Sequence, residues 1–365
     1  MGNQKNPSFL LEKPNHFTYA DRPIPHLNNP EHAHSVLIKV QWTGICGSDV
    51  HYWVDGAIGD FVVKAPMVLG HESSGTIHSI GSKVTKVKPN DRVAIEPGIP
   101  CRRCARCREG RYNLCAEMQF AATPPVDGTL TRFYRVPEDF CYVLPESVSL
   151  EEGALMEPLA VGVHIVRQAA VVPGNRVVVF GCGPVGLLAM AVAKAYGATT
   201  VVAVDVNEKR VRFAEGYAAT CGFVSGREDA PEELAGRIVG DAALGDGADV
   251  AIDASGAEAC VQAGMHILRA GGTYIQGGMG KPNVVFPIGL LGPKEPTIKG
   301  CFRYAAGDYS TAVMLVATGR VKVKELITAK FPFEKAEEAF VETRDAKGIK
   351  ILIKGPEDEF TLNEH

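Results

Sequence analysis

The 365-residue sequence contains no apolar run near the ~20 residues that a bilayer span requires, so no transmembrane helix is expected. The opening residues, MGNQKNPSFLLEKPNHF, lack the charged-then-apolar layout of a secretion signal, and a cytoplasmic address is the expectation from that absence. Positive charge is not in excess: 38 Lys and Arg face 42 Asp and Glu, a formal net charge of −4. That excludes the basic footprint of a general nucleic-acid binder. No internal repeat or low-complexity segment is present, so no solenoid or repeat array arises. What remains is an ordinary globular composition, 46% hydrophobic and 22% charged. The length exceeds what one hydrophobic core usually holds, so two domains are expected.

The chain changes texture along its length. From about Ser35 to Val143 it reads as short β-type runs, such as VLIKVQW, SGTIHSI, DRVAIEP and FCYVLP, broken by Gly, Pro and Asp. This pattern predicts an all-β domain of barrel type. EEGALMEPLAVGVHIVRQA then carries apolar residues at helical spacing. From Asn175 strand and helix alternate: RVVVF, GPVGLLAMAVAKAYG, TVVAV, and later ADVAID and GGTYIQGG. Alternation of this kind predicts a doubly wound parallel sheet, and an α/β protein as a whole. RYAAGDYSTAVMLVATGRV adds a helix, and FEKAEEAFVETRDAKGIKILIKGP a helix and a last strand that should return to the first domain. The final EDEFTLNEH reads as a loosely held tail.

Gly181, Gly183 and Gly186 form G-x-G-x-x-G between the strand RVVVF and the helix that follows. The first glycine permits a tight turn, the second lets backbone approach a pyrophosphate, and the third lets helix pack on strand. The helix N-terminus presents free N–H groups to the phosphate. Asp205 ends the next strand, nineteen residues after Gly186, where a carboxylate binds ribose hydroxyls. It would repel the extra phosphate of NADP, and Val206 and Asn207 bring no positive charge, so NAD is the expected cofactor. Arg210 is either an exposed helix charge or a cofactor contact.

With no secretion signal, ten cysteines read poorly as disulfides. Cys101, Cys104, Cys107 and Cys115 have the spacing C-x2-C-x2-C-x7-C, and four thiolates this close can enclose one tetrahedral Zn²⁺ in a structural site. An iron–sulfur cluster also takes four cysteines, but no other motif asks for an electron carrier. The arginines at 102, 103, 106, 108 and 111 read as a solvated loop whose charge eases thiolate formation. A second set is dispersed: Cys46 in GICGSD, His71 and Glu72 in GHESSG, and Glu157 in MEPLAVGVH. One cysteine, one histidine and one carboxylate from this set would give a catalytic zinc its three protein ligands and one open position.

GHESSG, GICGSD, the four-cysteine lobe and GCGPVG together resemble the zinc-containing medium-chain dehydrogenase/reductase family. GDFVVKAPMVLGHE, FAATPPVDGTL, EGALMEPLAVGVH and GCFRY resemble its polyol dehydrogenase branch, and EPGIPCRRC, AIDASG and GTYIQGGMG the fungal xylitol dehydrogenases within it. The likeness runs from about Pro7 to Pro356. It implies a GroES-like β-barrel catalytic domain over 1–159, a Rossmann NAD-binding domain over 160–299, and a return to the catalytic domain over 300–365. It also implies NAD-linked oxidation of a polyol to a ketose, most readily xylitol to xylulose with L-arabinitol or sorbitol as the alternative substrate, by a homotetramer with one catalytic and one structural zinc per chain; a non-catalytic NAD-binding protein is the distant alternative. Carried over by motif, Cys46, His71 and Glu72 would be the zinc ligands, with Glu157 hydrogen-bonding the zinc-bound water or the substrate. In the alcohol dehydrogenases the third ligand comes from the region of Glu157, so the roles of Glu72 and Glu157 stay open. Tyr52, Arg303 and Tyr304 match polyol-contacting positions. Val185, Gly277, Gly278, Met279, Cys301, Phe302 and Arg303 match cofactor-contacting ones. Ser48 and His51, read on a loop after Cys46, are the proton-relay candidates. Phe61 matches the sorbitol and xylitol enzymes, where arabinitol enzymes tend to carry methionine.

Overall fold

The structure is a computed structural model that describes residues 5–226, 229–357 and 360. The tail 361–365 lies outside the described residues, as do 358 and 359. The chain divides into two compact units, residues 1–157 with 322–365 and residues 158–321.

The first unit is built on a sheet of seven strands. Its order is Cys141–Val143, Arg92–Ile95, Glu72–Ile80, Ser35–Gly44, Lys350–Lys354 and Ile327–Phe331, with Phe133–Pro137 also paired to Ser35–Gly44. The long strand Ser35–Gly44 divides one edge between two partners, Phe133–Pro137 along its first half and Lys350–Lys354 along its last three residues. The C-terminal chain therefore completes the sheet begun by the N-terminal chain. A hairpin of Pro7–Lys13 and His16–Asp21 precedes the expected start of β structure, turning at Pro14-Asn15 with Asn15 at φ 61°. It contributes Phe9 and Phe17 to an aromatic core with Trp53 and Phe340.

The second unit carries six strands, all paired in parallel, in the order Cys221–Val224, Thr200–Asp205, Arg176–Phe180, Ala248–Asp253, Leu268–Gln276 and Thr297–Gly300. This is the 3-2-1-4-5-6 order of the dinucleotide-binding sheet, with its switch point beside Arg176–Phe180. Val177 to Phe180 are fully buried, and so is the helix Pro184–Ala195 over most of its length, as an apolar strand and helix sandwiched in an α/β core require.

Two boundaries differ from the sequence reading. EEGALMEPLAVGVHIVRQA forms two helices, Leu150–Ala154 and Met156–Gln168, not one. Pro158 is the cause: its ring would clash with the carbonyl of Ala154 if the first helix continued. Residues 300–321 lie with the parallel sheet and not with the returning segment. Thr297–Gly300 forms the sixth parallel strand, and the helix Asp308–Ala317 follows it directly.

Candidate active site and metal centres

The tight lobe of the first unit gathers its four cysteines as spaced in sequence. The ligand atoms of Cys101, Cys104, Cys107 and Cys115 all lie within 4.8 Å of one another. Sγ of Cys107 stands 3.9 Å from that of Cys101 and 3.5 Å from that of Cys104. Four thiolates held ~2.3 Å from one ion sit about 3.8 Å apart, so the donor set fits a single tetrahedral zinc. A disulfide would need ~2 Å, and all ten cysteines are free. The amides of Arg103 and Cys104 pull the Cys101 thiol down to about 7, while burial and the neighbouring thiols push Cys107 up to about 12. The thiolate-favouring groups are thus backbone amides. Three of the arginine side chains expected to do this instead pair with carboxylates, Arg102 with Asp139, Arg103 with Glu117 and Arg106 with Glu109. Buried Glu96 accepts from Tyr112 (2.5 Å) and Tyr142 (2.8 Å) and so ties the lobe to the seven-stranded sheet.

Cys46, His71 and Glu72 form the second group, again with ligand atoms within 4.8 Å. Cys46 caps the helix Gly47–Asp55, and His71 and Glu72 stand at the start of the strand Glu72–Ile80. Asp49, fully buried on that helix, joins the two segments. Its carboxylate accepts from the amides of Cys46 and Gly70, both at 3.0 Å, and lies 3.5 Å from Nδ1 of His71. That leaves Nε2 for a metal, the arrangement in which an outer carboxylate orients a ligating imidazole. Burial disfavours the His71 imidazolium, but Asp49 outweighs it and holds the ring well above the usual histidine range. A bound metal would take the place of that proton. Glu72 is fully buried, and Nζ of Lys350 donates to both its carboxylate oxygens, at 2.7 and 2.6 Å, and to the carbonyl of Ile45 at 3.1 Å. Gly44 makes room for this pair: a Cβ there would stand 2.3 Å from Oε2 of Glu72. The soft thiolate, imidazole and carboxylate fit a zinc site with one position left open.

Glu157 is buried at the start of the helix Met156–Gln168 and lies outside this ligand group, while its charge still acts on Lys350. Ser48, His51 and Tyr52 sit on the helix Gly47–Asp55, not on a loop, because Cys46 and Asp49 cap it directly after the ligand. His51 is exposed and bonded to Asp55 at 2.9 Å, whereas Tyr52 is buried in the aromatic core.

The glycine turn lies in the second unit. Gly181 adopts φ 99°, a Cβ at Gly186 would stand 1.8 Å from the Gly181 carbonyl oxygen, and nothing lies within 4 Å of a Cβ at Gly183. Asp205 ends its strand with one oxygen 2.7 Å from the Cys182 amide and the other 2.9 Å from the Asn207 amide. The carboxylate thus braces the glycine turn. Val185 lies in the first turn of the helix that follows, and Arg210, half-buried, is near enough to act on the Cys182 thiol. Gly277 and Gly278 both donate to the Asp253 carbonyl at 2.8 Å, and Met279 is exposed. Cys301 bonds Gln276, Arg303 holds φ 53° with its guanidinium 4.7 Å from the Phe302 ring centre, and Tyr304 is buried against Tyr309.

Residues 32–146 match the alcohol dehydrogenase GroES-like domain, and residues 184–318 match the zinc-binding dehydrogenase domain. The chain is 60% identical over 353 residues to D-xylulose reductase A of Aspergillus niger, covering 97% of this chain and 98% of that protein. It belongs to the zinc-binding dehydrogenase family. The probable D-xylulose reductase A of Aspergillus terreus is similar to the same degree, 60% over 97% of this chain and 99% of its own. Among solved structures, L-idonate 5-dehydrogenase of Escherichia coli superposes with a TM-score of 0.86 at 30% identity, over 96% of this chain and 98% of its own. A zinc-binding dehydrogenase of Sinorhizobium meliloti bound to NADP gives 0.86 at 28%, over 96% and 100%. As a family member the chain is a zinc-binding dehydrogenase, and no helix among its described residues is long and apolar enough to cross a membrane.

Asp49 and Lys350 were not found by sequence reasoning. Asp49 had a signal, since an acid three residues after a helix cap bonds back to it. Lys350 had none, being 278 residues from its partner.

Proposed function

We propose that this chain is a zinc-dependent, NAD-linked polyol dehydrogenase that interconverts xylitol and D-xylulose. The observation that carries this reading is near-full-length identity of 60% to fungal D-xylulose reductases, in a chain whose own residues assemble a Cys46–His71–Glu72 ligand set. Zinc held there supplies Lewis-acid chemistry that lowers the pKa of a substrate hydroxyl, and the nicotinamide supplies the hydride acceptor. Asp49 orients His71, and Lys350 orients Glu72. Glu157 hydrogen-bonds water or the substrate hydroxyl. Ser48 and the His51–Asp55 pair carry the proton to solvent. Tyr52, Arg303 and Tyr304 bind the remaining hydroxyls, and a site built for those hydroxyls rejects ethanol because its polar groups would be left unpaired.

NAD is favoured over NADP because the Asp205 carboxylate would repel a ribose phosphate, and the next two residues, Val206 and Asn207, bring no positive charge. The four-cysteine lobe holds the structural zinc. A cytoplasmic setting suits ten free thiols, four of which must stay reduced to hold metal. The homotetramer follows from the family resemblance, and the edge strand Thr297–Gly300, exposed along its whole length and carrying Ile298, with exposed Ile288 and Val285 close by in sequence, is a surface that pairing with a second copy would cover. The test is metal content and turnover of Cys46→Ser beside the parent protein. We expect one zinc fewer per chain and loss of xylitol oxidation in a folded protein. Parent-like turnover at parent-like zinc content would remove Cys46 from the site.

A further inference from the structure

The segment 301–307 carries Arg303 and Tyr304, and nothing in the proposed mechanism explains what holds it. It leaves the edge strand with the Cys301 amide on the Gln276 carbonyl, 2.9 Å away. At its other end stands Asp308, fully buried at the first position of the helix Asp308–Ala317. One carboxylate oxygen of Asp308 accepts from the Ala305 amide at 2.7 Å and from Nδ1 of His164 at 2.7 Å, and the other accepts from Arg167. Arg167 donates as well to the carbonyl of Ala306 at 3.2 Å. His164 and Arg167 lie one turn apart on the helix Met156–Gln168, whose last carbonyl, that of Gln168, accepts from Lys299 at 2.8 Å. The end of that helix therefore grips the chain on both sides of the segment. Asp308 and Arg167 thereby fix Ala305 and Ala306, the two residues that directly follow Tyr304.

Arg303 sits in the left-handed region at φ 53°, and Gly307 at 88° closes the segment. A non-glycine residue keeps such a conformation only where its surroundings over-determine it. A buried carboxylate answered by an arginine, an imidazole and an amide is a directional device for that, since it fixes geometry where apolar packing would tolerate slippage.

We propose that Asp308, with His164 and Arg167, is a positioning network that sets the backbone at Arg303 and so aims its guanidinium at the polyol. These residues act through Arg303 and do not touch the substrate. The inference rests on the substrate-binding role of Arg303 given above, and a double-mutant comparison separates the two. Steady-state kinetics would be measured on the zinc-loaded parent, Asp308→Asn, Arg303→Ala and the double variant, with thermal unfolding of each. In the parent background we expect Asp308→Asn to raise the KM for xylitol about tenfold. In the Arg303→Ala background it should change KM less than twofold, because the group it aims is gone. Equal KM effects in the two backgrounds, or a lowered melting temperature with an unchanged KM, would overturn the proposal. An unchanged KM in Arg303→Ala alone would remove its premise, and that outcome is visible in the single variant. If Asp308→Asn does not accumulate as folded protein, His164→Gln keeps the arginine–carboxylate pair and enters the same comparison with the same expected pattern.

Discussion

Replacing Lys350 by methionine keeps an unbranched side chain but leaves the Glu72 carboxylate buried without its cation. The two groups are in direct contact, at 2.6 and 2.7 Å, and neither is more than 3% exposed in its side chain. At an effective dielectric near 20, charges so close attract by roughly 6 kcal/mol. Desolvation of both ions offsets much of that, so the pair adds little net stability, yet removing one partner costs about 3–5 kcal/mol because the other stays buried and uncompensated. Metal changes the outcome. If Glu72 is a ligand, zinc supplies the missing positive charge, and the loss should be smaller in loaded protein than in chelated protein. Both tryptophans, Trp42 and Trp53, lie in the first unit, so their fluorescence during urea unfolding reports on the unit that holds the pair. We expect Lys350→Met to lose several kcal/mol when chelated and less with zinc. Lys350→Met with Glu72→Leu should recover most of the chelated loss, since both buried charges are then absent. A loss below about 1 kcal/mol in chelated protein, the range of an exposed pair, would refute the reasoning.

Cys104→Ser should lower the melting temperature and the zinc content by one per chain before it affects chemistry, because structural zinc contributes folding energy directly; calorimetry with metal analysis checks both. Asp205→Ser with Val206→Arg should move the ratio of kcat/KM values for NAD and NADP toward NADP by at least about tenfold, or 1.4 kcal/mol, in paired initial-rate assays. Glu138 gives a pH signature. Burial alone would raise its carboxyl, but the amides of Lys86 and Thr85, each 2.7 Å away, and His34 hold it below the usual range. A carboxyl depressed in the folded state stabilises fully above its unfolded value, about 4.3, and loses that contribution as the pH falls through the folded value. Glu138→Gln should therefore be less stable than the parent at pH 7, with the gap closing in denaturation series taken below about pH 4.

Local chemistry was readable in the sequence wherever one element carried the whole signal. RVVVF and ADVAID are strands at the residues expected, because apolar runs between turn residues have few other ways to bury themselves. The four-cysteine lobe was legible because its ligands lie within fifteen residues, and the glycine turn because Gly181 takes a positive φ and Gly186 leaves no room for a side chain. What sequence could not give was the partner brought from far away. The choice between Glu72 and Glu157 depended on which carboxylate the fold sets beside Cys46 and His71, and the geometry groups Glu72 with them. Lys350 reaches Glu72 only because the C-terminal strand pairs with Ser35–Gly44. The loop expected at Ser48 and His51 is a helix because Asp49 closes its first turn, a bond that doubles as the support for His71.

The most direct test of the account is an initial-rate panel read by absorbance of the reduced cofactor. Xylitol, sorbitol, L-arabinitol, threonine and ethanol would each be offered with NAD and with NADP, before and after chelation and again after zinc is returned. The account predicts fast reduction of NAD with xylitol, little with ethanol, loss on chelation and recovery with zinc. Turnover confined to threonine or ethanol would contradict the assigned substrate class. Folded, zinc-loaded protein inactive on every substrate would contradict the assignment as a polyol dehydrogenase.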